Sequence, residues 1–130
     1  YNRPQAQIIT QLVDQKKLGK KSGEGFYRWQ DGKPIKPKTR SLPYPKDLQD
    51  RLILSMVNES MAVLREQVIA DADLLDAAII FGTGFAPFLG GPINYARNLG
   101  SQTLTAKLKD LAAQYGTQFN PDEAINSYIV

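Results

Sequence analysis

The sequence contains no cysteine and no histidine among its 130 residues. The absence of cysteine excludes a disulfide, a thiolate nucleophile and a cysteine-based zinc site. The absence of histidine removes the commonest general base and metal ligand, so hydrolase triads of the usual kind are also excluded. We therefore predict no catalytic residue, no metal ligand and no cofactor-binding residue in this chain.

Long apolar runs are missing as well. The longest, such as Ala77 to Phe81, are far too short to cross a bilayer. The start of the sequence resembles neither a signal peptide nor a transit peptide, and its first residue is Tyr1 rather than Met. We expect a cytoplasmic protein without a membrane span, and a piece of a longer chain.

The composition that remains is typical of a globular domain, because 42% of the residues are hydrophobic and 22% are charged. The net charge of +3 conceals an asymmetry: residues 1–50 contain 11 Lys/Arg against 5 Asp/Glu, and residues 51–130 contain 5 against 8. On charge alone, nucleic acid, an anionic membrane and the phosphates of coenzyme A are all candidate partners of the basic half. We rank a linker kept soluble by its lysines ahead of these binding roles.

Apolar spacing predicts helices along most of the chain. The first helix starts at Pro4 and ends near Leu18, with its apolar positions at Ile8, Ile9, Leu12 and Val13. The longest helix starts at Lys46, and its apolar positions are Leu48, Leu52, Ile53, Met56, Val57, Met61, Val63, Leu64 and Val68. Asp71 or Asp73 caps the next helix, which Gly82 and Gly84 end. Shorter helices are predicted over residues 93–99, 101–114 and 121–129.

Two non-helical segments lie between the first two helices. Residues 20–29 predict a tight turn entering a short extended stretch, because Gly23 and Gly25 adjoin Phe26, Tyr27 and Trp29. Residues 30–45 contain four prolines and no apolar periodicity, which predicts an extended basic linker. The expected class is all-α: a small helical bundle preceded by a helix, a glycine-aromatic turn and a proline-rich linker.

Glycine and aromatic residues combine in residues 19–27 (GKKSGEGFY) and residues 82–92 (GTGFAPFLGGP). Neither segment is a nucleotide-binding loop. Pro87 stands where a Rossmann fingerprint needs its third glycine, and Asp14 stands where a Walker motif needs its first. We predict a structural use, in which the glycines permit close backbone approach and the aromatics fill space between helices.

Four charged positions have a predicted role. Lys20 and Lys21 are candidate anion contacts, because ammonium groups beside a glycine turn suit a phosphate, although a solvated turn explains them too. Glu59 falls in the middle of an apolar helix, where we expect a buried carboxylate that pairs with a cation, Arg97.

With RLILSMVNE (residues 51–59) and DADLLD (residues 71–76), the two glycine motifs resemble the helical C-terminal region of the 3-hydroxyacyl-CoA dehydrogenases. The likeness is greatest to the tail of the multifunctional fatty-acid-oxidation α-subunit, and it covers nearly the whole chain. It implies a bundle like the C-terminal domain of 6-phosphogluconate dehydrogenase. The matching positions, implied to be structural, are Gly23, Gly25, Phe26, Tyr27, Arg51, Glu59, Asp76, Gly82, Gly84, Phe85, Pro87, Gly91 and Pro92.

Asp50 departs from the family, which has a substrate-contacting asparagine there. The departure implies the second, degenerate copy of the family's helical module, which packs on the first copy. Residues 1–29 would then end the first module, residues 30–45 would be the linker, and residues 46–130 would be the second module. The resemblance implies packing, pseudo-dimer and acyl-CoA cleft roles for this fragment. It implies no dehydrogenase activity of the fragment alone, since the NAD-binding domain lies upstream.

The implied parent is a β-oxidation enzyme that oxidises L-3-hydroxyacyl-CoA with NAD and also carries an enoyl-CoA hydratase domain. Its implied partners are the upstream dehydrogenase domain of the same chain, the acyl-CoA substrate, a thiolase subunit and a second copy of the chain. Two alternatives stay open. One is a single-function dehydrogenase with duplicated helical modules. The other, ranked well below, is a stand-alone helical binding module whose basic arm binds phosphate or nucleic acid.

Overall fold

The computed structural model describes residues 6–36 and 43–129. The chain divides into two compact units, Tyr1–Pro43 (unit 1) and Tyr44–Val130 (unit 2). The predicted helix start at Pro4, positions 37–42 of the predicted linker and the last residue of the predicted second module lie outside the described residues. Within the described part, six α-helices and one two-stranded sheet are present, so the chain is mainly helical but not purely so.

Unit 1 begins with α1 (Gln7–Asp14), which ends four residues before the predicted Leu18. The chain leaves the helix because Lys16 adopts a positive φ of 58° and the N–H of Lys17 donates to the carbonyl of Leu12 over 2.8 Å. A left-handed residue of this kind closes a helix, and the position usually holds glycine. The first glycine in the sequence is at position 19, so the prediction placed the helix end near Leu18, and it was wrong by one turn.

A β-hairpin follows the glycine turn of unit 1. Strands β1 (Arg28–Gln30) and β2 (Lys33–Ile35) pair antiparallel, with Gln30 opposite Lys33. The two-residue loop between them, Asp31 and Gly32, has φ of 51° and 74°, as primed hairpin turns require. The first part of the predicted linker is therefore a paired strand. The proline in β2 suits this position because an edge strand needs no second set of ladder hydrogen bonds.

Unit 2 consists of five helices in chain order. They are α2 (Leu48–Arg65), α3 (Ala72–Thr83), α4 (Pro92–Leu99), α5 (Ser101–Tyr115) and α6 (Ile125–Tyr128), with 3₁₀ turns at Pro87–Leu89 and Thr117–Phe119. The predicted cap of α3 is confirmed, since the Asp71 carboxylate accepts from the N–H groups of Asp73 (2.9 Å) and Leu74 (2.8 Å). Gly82 lies inside α3, and Gly84 closes it in the left-handed region.

The core of unit 2 forms around α2. Its buried side chains Leu54, Val57, Met61 and Leu64 recur at three- and four-residue intervals and meet α4 and α5. The prediction placed Leu52 and Val68 on this face and left out Leu54, which was wrong: Leu52 and Val68 are exposed and Leu54 is fully buried. The other core residues are Leu75, Ile93, Ala96, Leu104, Leu108, Leu111, Phe119, Ala124, Ile125 and Ile129.

Two polar residues of α2 hold the C-terminal segment in place. Asn58 donates to the carbonyl of Asn120 and accepts from the N–H of Asp122, each over 2.8 Å. Two turns further along, the Arg65 guanidinium binds both carboxylate oxygens of Asp122 at 3.1–3.2 Å. This hydrogen bond raises the pKa of Arg65 above its ordinary value. The segment is thereby held on α2 by directional bonds as well as by buried apolar contacts.

Candidate functional site

The centre of unit 2's glycine-rich region is a buried carboxylate that caps a helix from a distance. Asp76, on α3, is only 5% exposed, and its two oxygens accept from the N–H groups of Ile93 (2.7 Å) and Asn94 (2.9 Å). These N–H groups are unpaired donors in the first turn of α4. Asp76 therefore does for α4 what an N-cap residue normally does, but it comes from the preceding helix. We call this arrangement the Asp76 cap.

Burial controls the ionisation of this carboxyl group. Desolvation raises the pKa of Asp76 above its ordinary 3.8, and the hydrogen bonds from Ile93 and Asn94, together with the charge of Arg97, offset part of that rise. A carboxylate at a helix N-terminus is also favoured by the helix dipole. Asp76 is thus a structural group, and its carboxylate binds a proton more readily in the folded protein than in the unfolded chain.

Gly91 makes this close approach feasible. A Cβ at position 91 would lie 2.4 Å from both Cβ and Cγ of Asp76, far inside van der Waals contact. Gly91 also has φ 99° and ψ 171°, a backbone conformation that residues other than glycine rarely adopt. Pro92 then starts α4 where no N–H is needed. The structure thus brings two of the predicted motif positions, Asp76 and Gly91, into contact, and a third, Pro92, follows directly in the chain.

The aromatic residues of the same region divide between core and surface. Phe85, directly after the left-handed Gly84, is buried, whereas Phe88, in the 3₁₀ turn that Pro87 begins, is 88% exposed. On α3, Phe81 is also 88% exposed and Leu74 is 65% exposed. The predicted packing role is confirmed for Phe85 and was wrong for Phe88, which contributes its ring to the surface of unit 2.

Exposed apolar side chains recur along α3. Leu74, Ala78 and Phe81 are separated by four and three residues, so they lie on one side of the helix, and all three are exposed. From position 77 to position 96 the sequence contains no charged residue. Interfaces between proteins are depleted of charge and enriched in aromatic residues in the same way. We call Leu74, Ala78, Phe81 and Phe88 the apolar face.

Arg51 lies apart from the Asp76 cap, at a polar junction between α2 and α5. Its guanidinium carbon is 4.1 Å from the centre of the Tyr115 ring, and the Tyr115 hydroxyl donates to Asp47 over 2.6 Å. The hydrogen bond to Asp47 raises the pKa of Tyr115. Next to it, Lys107 donates to Asp50, which raises the pKa of that lysine. Asp50 thus contacts α5 of its own unit.

The expectation for Glu59 was wrong. Glu59 is exposed on α2, and the buried carboxylate of unit 2 is Asp76 instead. Arg97 donates to Asp73 at 3.5 Å and to the Tyr128 carbonyl at 3.4 Å. Helical spacing misplaced Glu59 because the apolar stripe of α2 is rotated from the predicted one. Asp76 gave no sequence signal of burial, since its partners are backbone N–H groups seventeen and eighteen residues away.

The glycine turn of unit 1 is closed by its own backbone. The N–H of Gly19 donates to Glu24, that of Gly23 to Lys20 and that of Gly25 to Tyr27. A Cβ on Gly25 would lie 2.7 Å from the Cα of Gly19, which accounts for this glycine. The three glycine N–H groups are therefore not available to the anion contact predicted at Lys20 and Lys21. Phe26 and Tyr27 of the same motif are exposed.

No protein-family model matches the sequence. Within residues 6–36 and 43–129, no group of three or more acidic side chains could hold a metal ion. No helix in that described part is long and apolar enough to cross a membrane.

An open groove of about 560 Å³ runs along the start of α2, lined by Tyr44, Pro45, Lys46, Leu48, Gln49, Leu52 and Ile53. The apolar face is thus the feature of unit 2 with the clearest chemical use, which is contact with another apolar surface.

Proposed function

We propose that unit 2 is a helical packing module of a fatty-acid β-oxidation enzyme and that its apolar face binds another helical module of that enzyme. The observation that carries the proposal is the exposure of Leu74 and Phe81 on α3 and of Phe88 in the 3₁₀ turn that follows it. Exposed aromatic side chains in an uncharged surface are typical of a binding site.

The resemblance to the 3-hydroxyacyl-CoA dehydrogenases supports the identity of the partner. In this proposal the helices of unit 2 have the fold of the family's C-terminal module, and the parent enzyme oxidises L-3-hydroxyacyl-CoA with NAD in the cytoplasm. The motif residues then have a common purpose. In this proposal Asp76 and Gly91 hold the start of α4 against α3, and the turn with Phe88 lies in the segment between the two helices.

A reconstitution experiment tests the proposal. A dehydrogenase of this family, made without its second helical module, is mixed with the present chain. The size of the complex is measured by light scattering, and NADH formation from an L-3-hydroxyacyl-CoA is followed by absorbance. We expect a one-to-one complex, faster NADH formation in the mixture and no NADH from the chain alone.

The variant Phe81→Asp/Phe88→Asp makes the experiment specific to the apolar face. Each aromatic at the centre of an interface contributes about 2 kcal/mol or more, so the double variant should weaken the complex by at least about 100-fold. Both side chains are exposed, so the helical circular dichroism should not change. Leu52→Asp, at an apolar position on α2 that is also exposed, is the control. A missing complex with the unaltered chain, or one insensitive to the double variant, would refute the proposal.

A further inference from the structure

The described residues of unit 1 present an unusual surface, because they bury no side chain. No side chain in residues 6–36 is buried. Helix α1 leaves Ile8, Ile9 and Val13 more than half exposed, and Leu18 and Phe26 beyond it are exposed to a similar degree. These 31 residues contain several large aliphatic side chains, and none of them is buried. Such a surface indicates contact with an apolar medium.

The same residues are strongly basic. They contain seven basic side chains against three acidic ones; the basic ones are Lys16, Lys17, Lys20, Lys21, Arg28, Lys33 and Lys36. Among the residues that the structure describes, only Lys17 of these seven forms an ion pair, with Glu24 at 3.2 Å. Six of the seven cations in residues 6–36 are therefore available to an external anion.

Charge alone fits any phosphate-bearing partner, but the aliphatic side chains distinguish between them. Nucleic acid binds proteins through stacking on aromatic rings and through phosphate contacts. The exposed Phe26 and Tyr27 offer rings for stacking, but the aliphatic side chains Ile8, Ile9, Val13 and Leu18 offer neither kind of contact. A bilayer with anionic head groups accepts both parts of the surface. Aliphatic side chains enter the boundary between head groups and acyl chains, while the lysines stay with the phosphates. A cluster of four to eight basic residues beside an amphipathic helix has this combination of properties.

We propose that unit 1 is a peripheral attachment surface for an anionic lipid bilayer. The apolar side of α1, with Ile8, Ile9 and Val13, lies in the interfacial layer, and Lys20, Lys21 and their neighbours bind lipid phosphates. The inference concerns unit 1 only. It stands or falls independently of the packing role proposed for unit 2.

Vesicle binding tests the inference. The 130-residue chain is mixed with vesicles of pure phosphatidylcholine and with vesicles containing 30% phosphatidylglycerol, and bound protein is measured by co-sedimentation in low and high salt. We expect binding to the anionic vesicles that exceeds binding to the neutral ones by more than about tenfold and weakens with salt, because each basic residue adds to the attraction.

Two pairs of variants separate the contributions. Lys21→Glu should weaken binding to anionic vesicles about tenfold, whereas Lys109→Glu, the same charge change in unit 2, should have little effect. Ile9→Ser should weaken binding about fivefold, because an aliphatic group no longer leaves water, and Leu52→Ser is its control. A single-stranded oligonucleotide serves as a soluble polyanion: Lys21→Glu should weaken its binding, and Ile9→Ser should not.

Three outcomes would overturn the inference. The first is no binding of the unaltered chain to anionic vesicles in low salt. The second is vesicle binding that does not respond to Ile9→Ser, which would leave a purely electrostatic arm that binds phosphate of any source. The third is binding that responds equally to the unit 1 variants and to their unit 2 controls.

Discussion

Replacing Gly91 by alanine should destabilise unit 2 more than any other glycine-to-alanine change in its motif. The new Cβ would lie 2.4 Å from Cβ and Cγ of Asp76 and 2.5 Å from its Oδ1. Asp76 is buried and held by two backbone N–H groups, so it can move only by giving up the cap of α4. The substitution therefore combines backbone strain with the loss of hydrogen bonds.

The size of the effect follows from these two contributions. A side chain at φ 99° and ψ 171° costs about 1–3 kcal/mol. Breaking hydrogen bonds to a charged group costs about 1.5–3 kcal/mol each, and at least one of the two must break. We expect Gly91→Ala to lower the free energy of unfolding by about 3–6 kcal/mol. This is a large fraction of the roughly 5–15 kcal/mol available to a small domain.

Two neighbouring glycines serve as matched controls. Gly82 lies in α3, and a Cβ there meets nothing within 4 Å, so Gly82→Ala should stabilise the protein by about 0.5–1 kcal/mol. Gly84 also has open space but a φ of 74°, so Gly84→Ala should cost only the strain of about 1–2 kcal/mol. The three variants separate helix propensity, backbone strain and steric contact with Asp76.

Guanidinium unfolding followed by circular dichroism measures all three variants. If Gly91→Ala lost no more stability than Gly84→Ala, the contact with Asp76 would contribute nothing beyond strain, and our account of the Asp76 cap would be wrong. Unfolding midpoints should fall in the order Gly82→Ala, unaltered chain, Gly84→Ala and Gly91→Ala. Any other order refutes the reasoning.

Three further predictions follow from the polar contacts of unit 2. The pKa of Asp76 is raised above 3.8 in the folded protein. The contribution of this carboxyl group to the free energy of unfolding is therefore greatest below pH 3.8 and falls as the pH rises. The difference in unfolding free energy between the unaltered chain and Asp76→Asn should therefore shrink as pH rises from about 4, as unfolding titrations between about pH 3.5 and 7 would measure. Asn58→Ala should cost about 1–3 kcal/mol and speed amide exchange around Asp122, because two backbone groups lose their partner. Asp47→Asn should lower the pKa of Tyr115, since the hydrogen bond to Asp47 is the main cause of its rise, and an NMR titration of the ring carbon would detect the change.

Signals of short range allowed much of the helical structure to be predicted. Asp71 caps α3, Pro92 starts α4 and Gly100 ends α4. Each of these residues acts within one turn of its own helix, so its effect can be predicted without knowing which elements pack together. The hairpin of unit 1 was missed although Asp31 and Gly32 are a typical primed-turn pair. The four prolines that follow this pair, between positions 34 and 45, led to the prediction of a linker instead.

Faces of helices were harder to predict than their positions. On α2, apolar residues occupy both the buried and the exposed sides, so spacing alone could not choose between the stripe with Leu54 and the stripe with Leu52. The choice depends on where α4 and α5 lie. The exposure of Phe81 and Phe88 could not be predicted from the sequence either, because the type of a residue does not indicate whether another helix packs over it.

The sequence by itself determined the helical class, the limits of most helices, the contrast between a basic and an acidic half, and the absence of cysteine and histidine chemistry. Each of these depends on composition or on neighbours within a few positions. Only the tertiary structure decided that Asp76 caps α4, that Asn58 holds the C-terminal segment and that the apolar face is uncovered. Those features depend on contacts between residues far apart in the chain, where packing rather than local preference sets the distance.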